Sequence, residues 1–231
     1  EDIDGSIDIK AETYNFRAYF YSDWGYIDDW CDKRVISEYS NVVTIGNPSY
    51  YSGASNWAKP ALDRAVEYGF ITDKIKNDMS ANITREEFAE LAIKLYEKYT
   101  NKQATYTDMS AFTDTKNPEI FKAFELGIVS GVGNNKFEPN QLITREQMAV
   151  MLYSSVRAIA PDTDFSTNDA PVFTDEKDVS GWAVEKVKYM SKTGFISGVG
   201  NNRFAPKESS TREMAVAVAV KVYEKYAGIT N

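Results

Sequence analysis

A thirteen-residue block occurs twice in this chain. It runs from Gly127 to Pro139 as Gly-Ile-Val-Ser-Gly-Val-Gly-Asn-Asn-Lys-Phe-Glu-Pro and returns from Gly194 to Pro206 as Gly-Phe-Ile-Ser-Gly-Val-Gly-Asn-Asn-Arg-Phe-Ala-Pro. Seventeen residues after each leading glycine stands a threonine that opens Thr-Arg-Glu, at Thr144 and Thr211. A third Thr-Arg-Glu begins at Thr84, fifteen residues after Gly69, so its loop is shorter and lacks the Gly-Val-Gly-Asn-Asn turn. Shared blocks at matched spacing define three repeats, and a unit this small cannot bury its own apolar face. The repeats must therefore pack on one another, as an open stack or a closed pseudo-threefold arrangement; the repeat pattern itself does not choose.

Each repeat reads as helix, loop, helix. In the first, Ser55 is placed to cap a helix with apolar positions Trp57, Ala61, Leu62, Ala65 and Val66, which Gly69 ends in the left-handed region. The third repeat copies this with Trp182, Val184, Val187 and Met190 before Gly194, and the second has a shorter helix with Pro118 in its first turn. The second helices start at the threonines. Thr84 with Glu87 and Thr144 with Gln147 form capping boxes, whereas Thr211 is followed by Met214, which cannot reciprocate. Phe88, Leu91, Ala92, Leu95 and Tyr99, then Met148, Met151, Leu152 and Val156, then Met214, Val218 and Val222 mark the faces expected to be buried.

These patterns give the expected organisation: a β-rich segment at 1–52, then repeats at 53–105, 106–165 and 166–231. The first segment is assigned to strands because Ile7, Ile9 and Ala11, then Tyr14, Phe16, Ala18 and Phe20, alternate with polar residues, and 34–45 is a second candidate. It reads as an appendage or the tail of an upstream domain. Starting at Glu1 without a basic-then-apolar leader, the chain is expected to be a mature or excised fragment.

Composition narrows the chemistry. Lys and Arg number 26 against 34 Asp and Glu, a net charge of −8, so the footprint of a nucleic-acid binder is missing. There is no histidine and one cysteine, Cys31, which excludes Ser-His-Asp and Cys-His catalysis, histidine-based zinc sites and an internal disulfide. No cofactor and no metal are expected. The longest apolar run, from Met214 to Val220, is too short to span a membrane. A binding or anchoring role leads.

Arg85, Arg145 and Arg212 each follow a capping threonine, where the helix dipole disfavours a cation. Three such placements point to an anionic guest, since a helix N-terminus plus a guanidinium fork suits a carboxylate or phosphate. The structural alternative is pairing with the adjacent Glu86, Glu146 and Glu213. A second constellation joins Phe112-Thr-Asp114 and Phe173-Thr-Asp175 to Trp57 and Trp182, which sit twelve residues before Gly69 and Gly194. An aromatic face beside Asp and Arg can hold a sugar ring, although Trp at a helical position is often core and Phe-Thr-Asp is also a capping turn.

Taken together, Phe-x-Asp, Trp-Ala, Gly-x-Gly-x-x-x-Phe-x-Pro and Ile-Thr-Arg-x-x over residues 53–227 resemble the S-layer homology domain, which occurs as three tandem copies. The resemblance implies a mainly α fold, a pseudo-threefold spindle with grooves between repeats. It implies a non-catalytic module at the bacterial cell surface that binds a pyruvylated secondary cell-wall polysaccharide of Gram-positive-type walls. In that reading Arg85, Arg145 and Arg212 meet the pyruvate carboxylate, while Asp114, Asp175, Trp57 and Trp182 contact sugar. The sequence departs from the pattern in having Glu after every arginine where Ala is usual, Tyr50 in place of an aspartate, and no Trp in repeat two. Those departures support the alternative of a structural or protein-interaction scaffold at the end of a larger surface protein.

Other signals are weaker. Gly131-Val-Gly133 and Gly198-Val-Gly200 lack the third glycine of a dinucleotide loop and read as turns with left-handed glycines. Asp2-Ile-Asp4-Gly5 lacks the terminal Glu of a calcium loop. The carboxylates and tryptophans between Tyr21 and Trp30 have too little scaffold around them for a hydrolase site, and Cys31 reads as a small packed side chain.

Overall fold

The computed structural model describes residues 14–16, 43–45 and 53–229. The chain divides into two units, Glu1–Pro48 and Ser49–Asn231. In the first, strand β1 (Tyr14–Phe16) pairs antiparallel with β2 (Val43–Ile45), Tyr14 opposite Ile45. Asp2, Asp4, the Tyr21–Trp30 stretch, Cys31 and Tyr50 lie outside the described residues.

Among the described residues, six α-helices make the second unit: α1 (Lys59–Tyr68), α2 (Arg85–Thr100), α3 (Pro118–Glu125), α4 (Arg145–Ile159), α5 (Val184–Lys192) and α6 (Arg212–Ala227). The threonines work as their spacing predicts. Thr84 and Thr144 close full capping boxes with Glu87 and Gln147, and Thr211 accepts from the Met214 amide without a reciprocal bond. Pro118 opens α3 behind an Asn117 cap, and Gly69 ends α1 at φ 77°.

Three expectations need correction. Ser55 does not cap α1, whose N-cap Ala58 has no side-chain bond; Ser55 instead donates its amide and hydroxyl to Glu213, both at 2.8 Å. Trp57 and Trp182 precede α1 and α5 in turns, so they escape the helical period and stand 56% and 53% exposed. Finally, α6 is not buried on a single stripe: Ala215 through Val220 are all buried, because the helix packs against α1, α2 and α4 at once.

The helix pairs are joined by a closed circuit of backbone hydrogen bonds. Ile143 N–H donates to Ile83 O at 3.1 Å, Ser210 N–H to Ile143 O at 3.1 Å, and Ile83 N–H to Ser210 O at 2.9 Å. Each second helix has free amides at its start, and these are satisfied by the next repeat: Arg85 donates to Gln141 O, Arg145 to Glu208 O and Arg212 to Ala81 O, each at 2.9 Å. The glutamates that follow the arginines add a side-chain layer to the circuit. Glu86 accepts from Asn117, Glu146 from Ser180 and Glu213 from Ser55, each in the segment leading into the next repeat's first helix. The unusual glutamate is therefore a staple between repeats.

At the centre of the circuit Ile83, Ile143 and Ser210 are fully buried, and the Ser210 hydroxyl has no hydrogen-bond partner among the described residues. An unpaired buried hydroxyl costs about 1 kcal/mol or more. Ser210→Ala is expected to raise Tm by about 3 °C, read by calorimetry; an unchanged or lower Tm would mean the hydroxyl is satisfied.

Candidate functional site

The site begins in the two copies of the glycine-rich loop. In each, a tight turn is closed by Lys136 N–H to Gly133 O and by Arg203 N–H to Gly200 O, both at 2.9 Å. The paired asparagines 134–135 and 201–202 adopt positive φ, which Asn tolerates better than other non-glycine residues. Gly133 and Gly200 are left-handed as expected, but Gly131 and Gly198 serve a different purpose. A Cβ on Gly131 would lie 2.9 Å from both Lys136 O and the Phe112 ring, and one on Gly198 2.7 Å from Arg203 O. These glycines let the aromatic of Phe-Thr-Asp lie against the loop.

Asp114 and Asp175 hold the far side of the loops. The Asp114 carboxylate accepts the amides of Phe137 at 2.9 Å and Glu138 at 2.8 Å; Asp175 accepts those of Phe204 and Ala205, both at 2.8 Å. Burial opposes ionisation of Asp175, but these amides and Arg203 outweigh it and hold the carboxyl below its usual value. Asp114 is shifted the same way, burial again opposing and the amides prevailing. Each oxygen of both carboxylates thus accepts one backbone amide, which fixes the loops.

Arg85 and Arg145 reach across to those loops in matching fashion. Arg85 Nε donates to Phe137 O at 2.8 Å and Nη2 to Ser130 O at 2.9 Å, with the guanidinium 4.6 Å from the Phe137 ring centroid. Arg145 Nε donates to Phe204 O at 2.8 Å and Nη2 to Ser197 O at 2.7 Å, 5.1 Å from the Phe204 ring. Both are buried. Burial draws each guanidinium below its ordinary pKa, opposed for Arg85 by Glu138 and Asp114 and for Arg145 by Glu208 and Asp175; an arginine stays charged regardless. Neither forms an ion pair or uses Nη1 in a hydrogen bond among the described residues. The adjacent glutamates, turned to the next repeat, do not neutralise them.

Arg85 borders a groove of about 420 Å³ whose walls include Ser130, Gln147, Met151, Ser154 and Trp182. That volume lies in the range of small-ligand sites. Among the described residues, Arg85 is the only charged one lining it, in a chain that carries −8 overall. The groove brings together residues of all three repeats: the arginine of the first, the loop and second helix of the second, and the tryptophan of the third. Sequence order does not reveal that Trp182 faces Arg85.

Arg212 is held differently. Its Nη2 lies 2.5 Å from Glu87 Oε1, its Nε donates to Glu87 Oε2 at 3.3 Å and its Nη1 to Asp78 O at 3.0 Å. The shorter first loop does not offer the two carbonyls that hold the other arginines, and a carboxylate takes that edge instead. Glu87 occupies the position of Gln147, three residues after the capping threonine. This residue decides whether the arginine is neutralised internally, and its signal was visible in the sequence only as the second half of a capping box.

Two segments of the chain match a known family. Residues 105–149 and 172–215 each match the S-layer homology domain. The chain is 31% identical over 220 residues to Exoglucanase XynX of Acetivibrio thermocellus, covering 85% of this chain and 19% of that protein. It is 28% identical to the Amylopullulanase of Thermoanaerobacterium thermosulfurigenes over 99% of this chain and 11% of that protein. It is 26% identical to the S-layer protein of Bacillus thuringiensis subsp. finitimus over 81% of this chain and 22% of that protein. The chain thus spans less than a quarter of each of these relatives.

Proposed function

We propose that this chain, which carries S-layer homology domains at 105–149 and 172–215, anchors a larger protein at the bacterial cell surface by binding an anionic, pyruvylated secondary cell-wall polysaccharide in grooves between its repeats. S-layer homology domains are non-catalytic modules that attach proteins to the cell wall, and an extracellular location at the cell surface or wall follows from that kinship. Residues 53–105 complete the set as a third, diverged repeat. The closed circuit through Ile83, Ile143 and Ser210 supports a pseudo-threefold arrangement of the three.

One observation carries the ligand class: an arginine without an ion pair is, among the described residues, the sole charge in a groove walled by an exposed tryptophan, loop backbone, an amide and a hydroxyl. Such a groove suits one carboxylate on a sugar ring, the ring stacked on Trp182 and its hydroxyls meeting Gln147 and Ser154. Arg85 and Arg145 are the anion-binding groups, with Trp57 and Trp182 as sugar platforms. Asp114 and Asp175 act behind them by fixing the loops.

The structural reading keeps a place for the third repeat. Arg212 is consumed by Glu87, so that junction serves closure of the fold. The two roles separate in one experiment. Pyruvate ketals are cleaved by mild acid, so sedimentation of the protein with purified walls is expected to fall at least about tenfold after mild-acid treatment of the walls. Equal retention on treated walls would overturn the assignment of the carboxylate as ligand.

A further inference from the structure

By the repeat correspondence, a counterpart of the Arg85 groove falls beside Arg145, and the sequence assigns its lining. Counting from the motif threonines, Gln147 corresponds to Met214 and Ser154 to Lys221; counting from the glycines, Trp182 corresponds to Trp57. The correspondence holds in the structure where it can be measured. Arg145 is held by Phe204 O and Ser197 O at distances within 0.2 Å of those at Arg85. The loop-tip valines, Val132 and Val199, are exposed to nearly the same extent, 46% and 45%, as are the two tryptophans. Lys221 is exposed on α6, and no ion pair or hydrogen bond holds its ammonium group among the described residues. In the first groove the corresponding wall residue, Ser154, is neutral.

We infer that the two grooves differ in the charge of the guest they accept: the Arg85 groove takes a saccharide bearing one negative charge, while the Arg145 groove, with Lys221 as a second cation, prefers a saccharide bearing two. This deepens the glycan-binding reading and rests on it. Two cations on one groove impose a stronger salt dependence and reward a dianion over a monoanion. The ammonium is a flexible point charge at the rim, so its contribution is that of an exposed pair, a factor of about five in affinity. Replacing Gln147 by Met214 removes an amide from the second groove, so a ligand there depends more on charge and less on hydrogen bonds to sugar hydroxyls.

The test reads each groove through its own tryptophan. Indole N–H signals of Trp57 and Trp182, assigned with Trp→Phe variants, are followed by NMR during titration with two probes at pH 7.5. The monoanion is the 4,6-pyruvate ketal of a methyl glucoside; the dianion is glucose 6-phosphate, whose second ionisation lies near 6. Glucose 6-phosphate is expected to saturate the Trp57 signal at a concentration about fivefold lower than the Trp182 signal. Lys221→Ser is expected to abolish that preference while leaving the Trp182 titration unchanged, and Ser154→Lys to bring the preference to the first groove. An unchanged Trp57 titration in Lys221→Ser overturns the inference; if Arg145→Gln still abolishes the Trp57 response, the glycan-binding reading survives it. If neither probe moves either indole in the unaltered protein, both readings fall together.

Discussion

Replacing Asp175 by alanine is expected to lower Tm by about 9 °C, corresponding to a loss of about 3 kcal/mol. The carboxylate is buried and accepts the amides of Phe204 and Ala205, both at 2.8 Å. Removing it deletes two charge-assisted bonds and leaves two buried donors without an acceptor. The same change also frees a strained corner, since Ala205 sits at φ 58°, a conformation an alanine adopts only under constraint. The pH dependence has a definite sign. The folded-state pKa of Asp175 is depressed, so its contribution is present above the unfolded carboxyl value of about 4 and is lost as pH falls through the lower folded value. The gap between wild type and variant, measured by thermal melts, should be constant near neutral pH and close below about pH 4. A gap that persists in acid would mean the aspartate acts through packing and not through its charge.

The same aspartate marks how far the sequence could be read. Local rules sufficed where a residue acts on its neighbours: the capping threonines, the Pro118 start and the Gly69 stop all follow from contacts within a few residues, and all are present. The repeats also singled out Arg85, Arg145 and Arg212, and as a second constellation Asp114, Asp175 and both tryptophans. What they could not supply was partnership across repeats. Phe-Thr-Asp looks equally like a capping turn and a sugar contact until the amides of residues 137–138 and 204–205, more than twenty positions away, are seen on its oxygens. Trp57 and Trp182 fit a helical period on paper, yet the chain turns before α1 and α5 and leaves them in solvent. Glu86, Glu146 and Glu213 read as neutralising neighbours because they are adjacent in sequence. Consecutive residues at a helix start point in different directions, so Arg85 and Arg145 meet one neighbouring loop while each glutamate meets the segment leading into another helix.

Those cross-repeat partnerships set the largest functional effect. The double variant Arg85→Gln, Arg145→Gln is expected to lose wall retention by about a hundredfold or more, while Arg212→Gln lowers stability and leaves retention within about twofold. A charge-assisted bond to a carboxylate contributes about 1.5–3 kcal/mol, which is tenfold or more for each groove. When two grooves engage one polymer the second event is intramolecular, so losing both costs more than either single change implies. Glutamine is the informative replacement because it can still hydrogen-bond but carries no charge. Arg212 differs because its charge is already met by Glu87 at 2.5 Å, and cutting a partly buried pair leaves the glutamate unmatched. Co-sedimentation with purified walls, run well below the Tm of each variant, separates the two effects. Full retention by the double variant, or loss of retention by Arg212→Gln at unchanged stability, would place the anion site elsewhere.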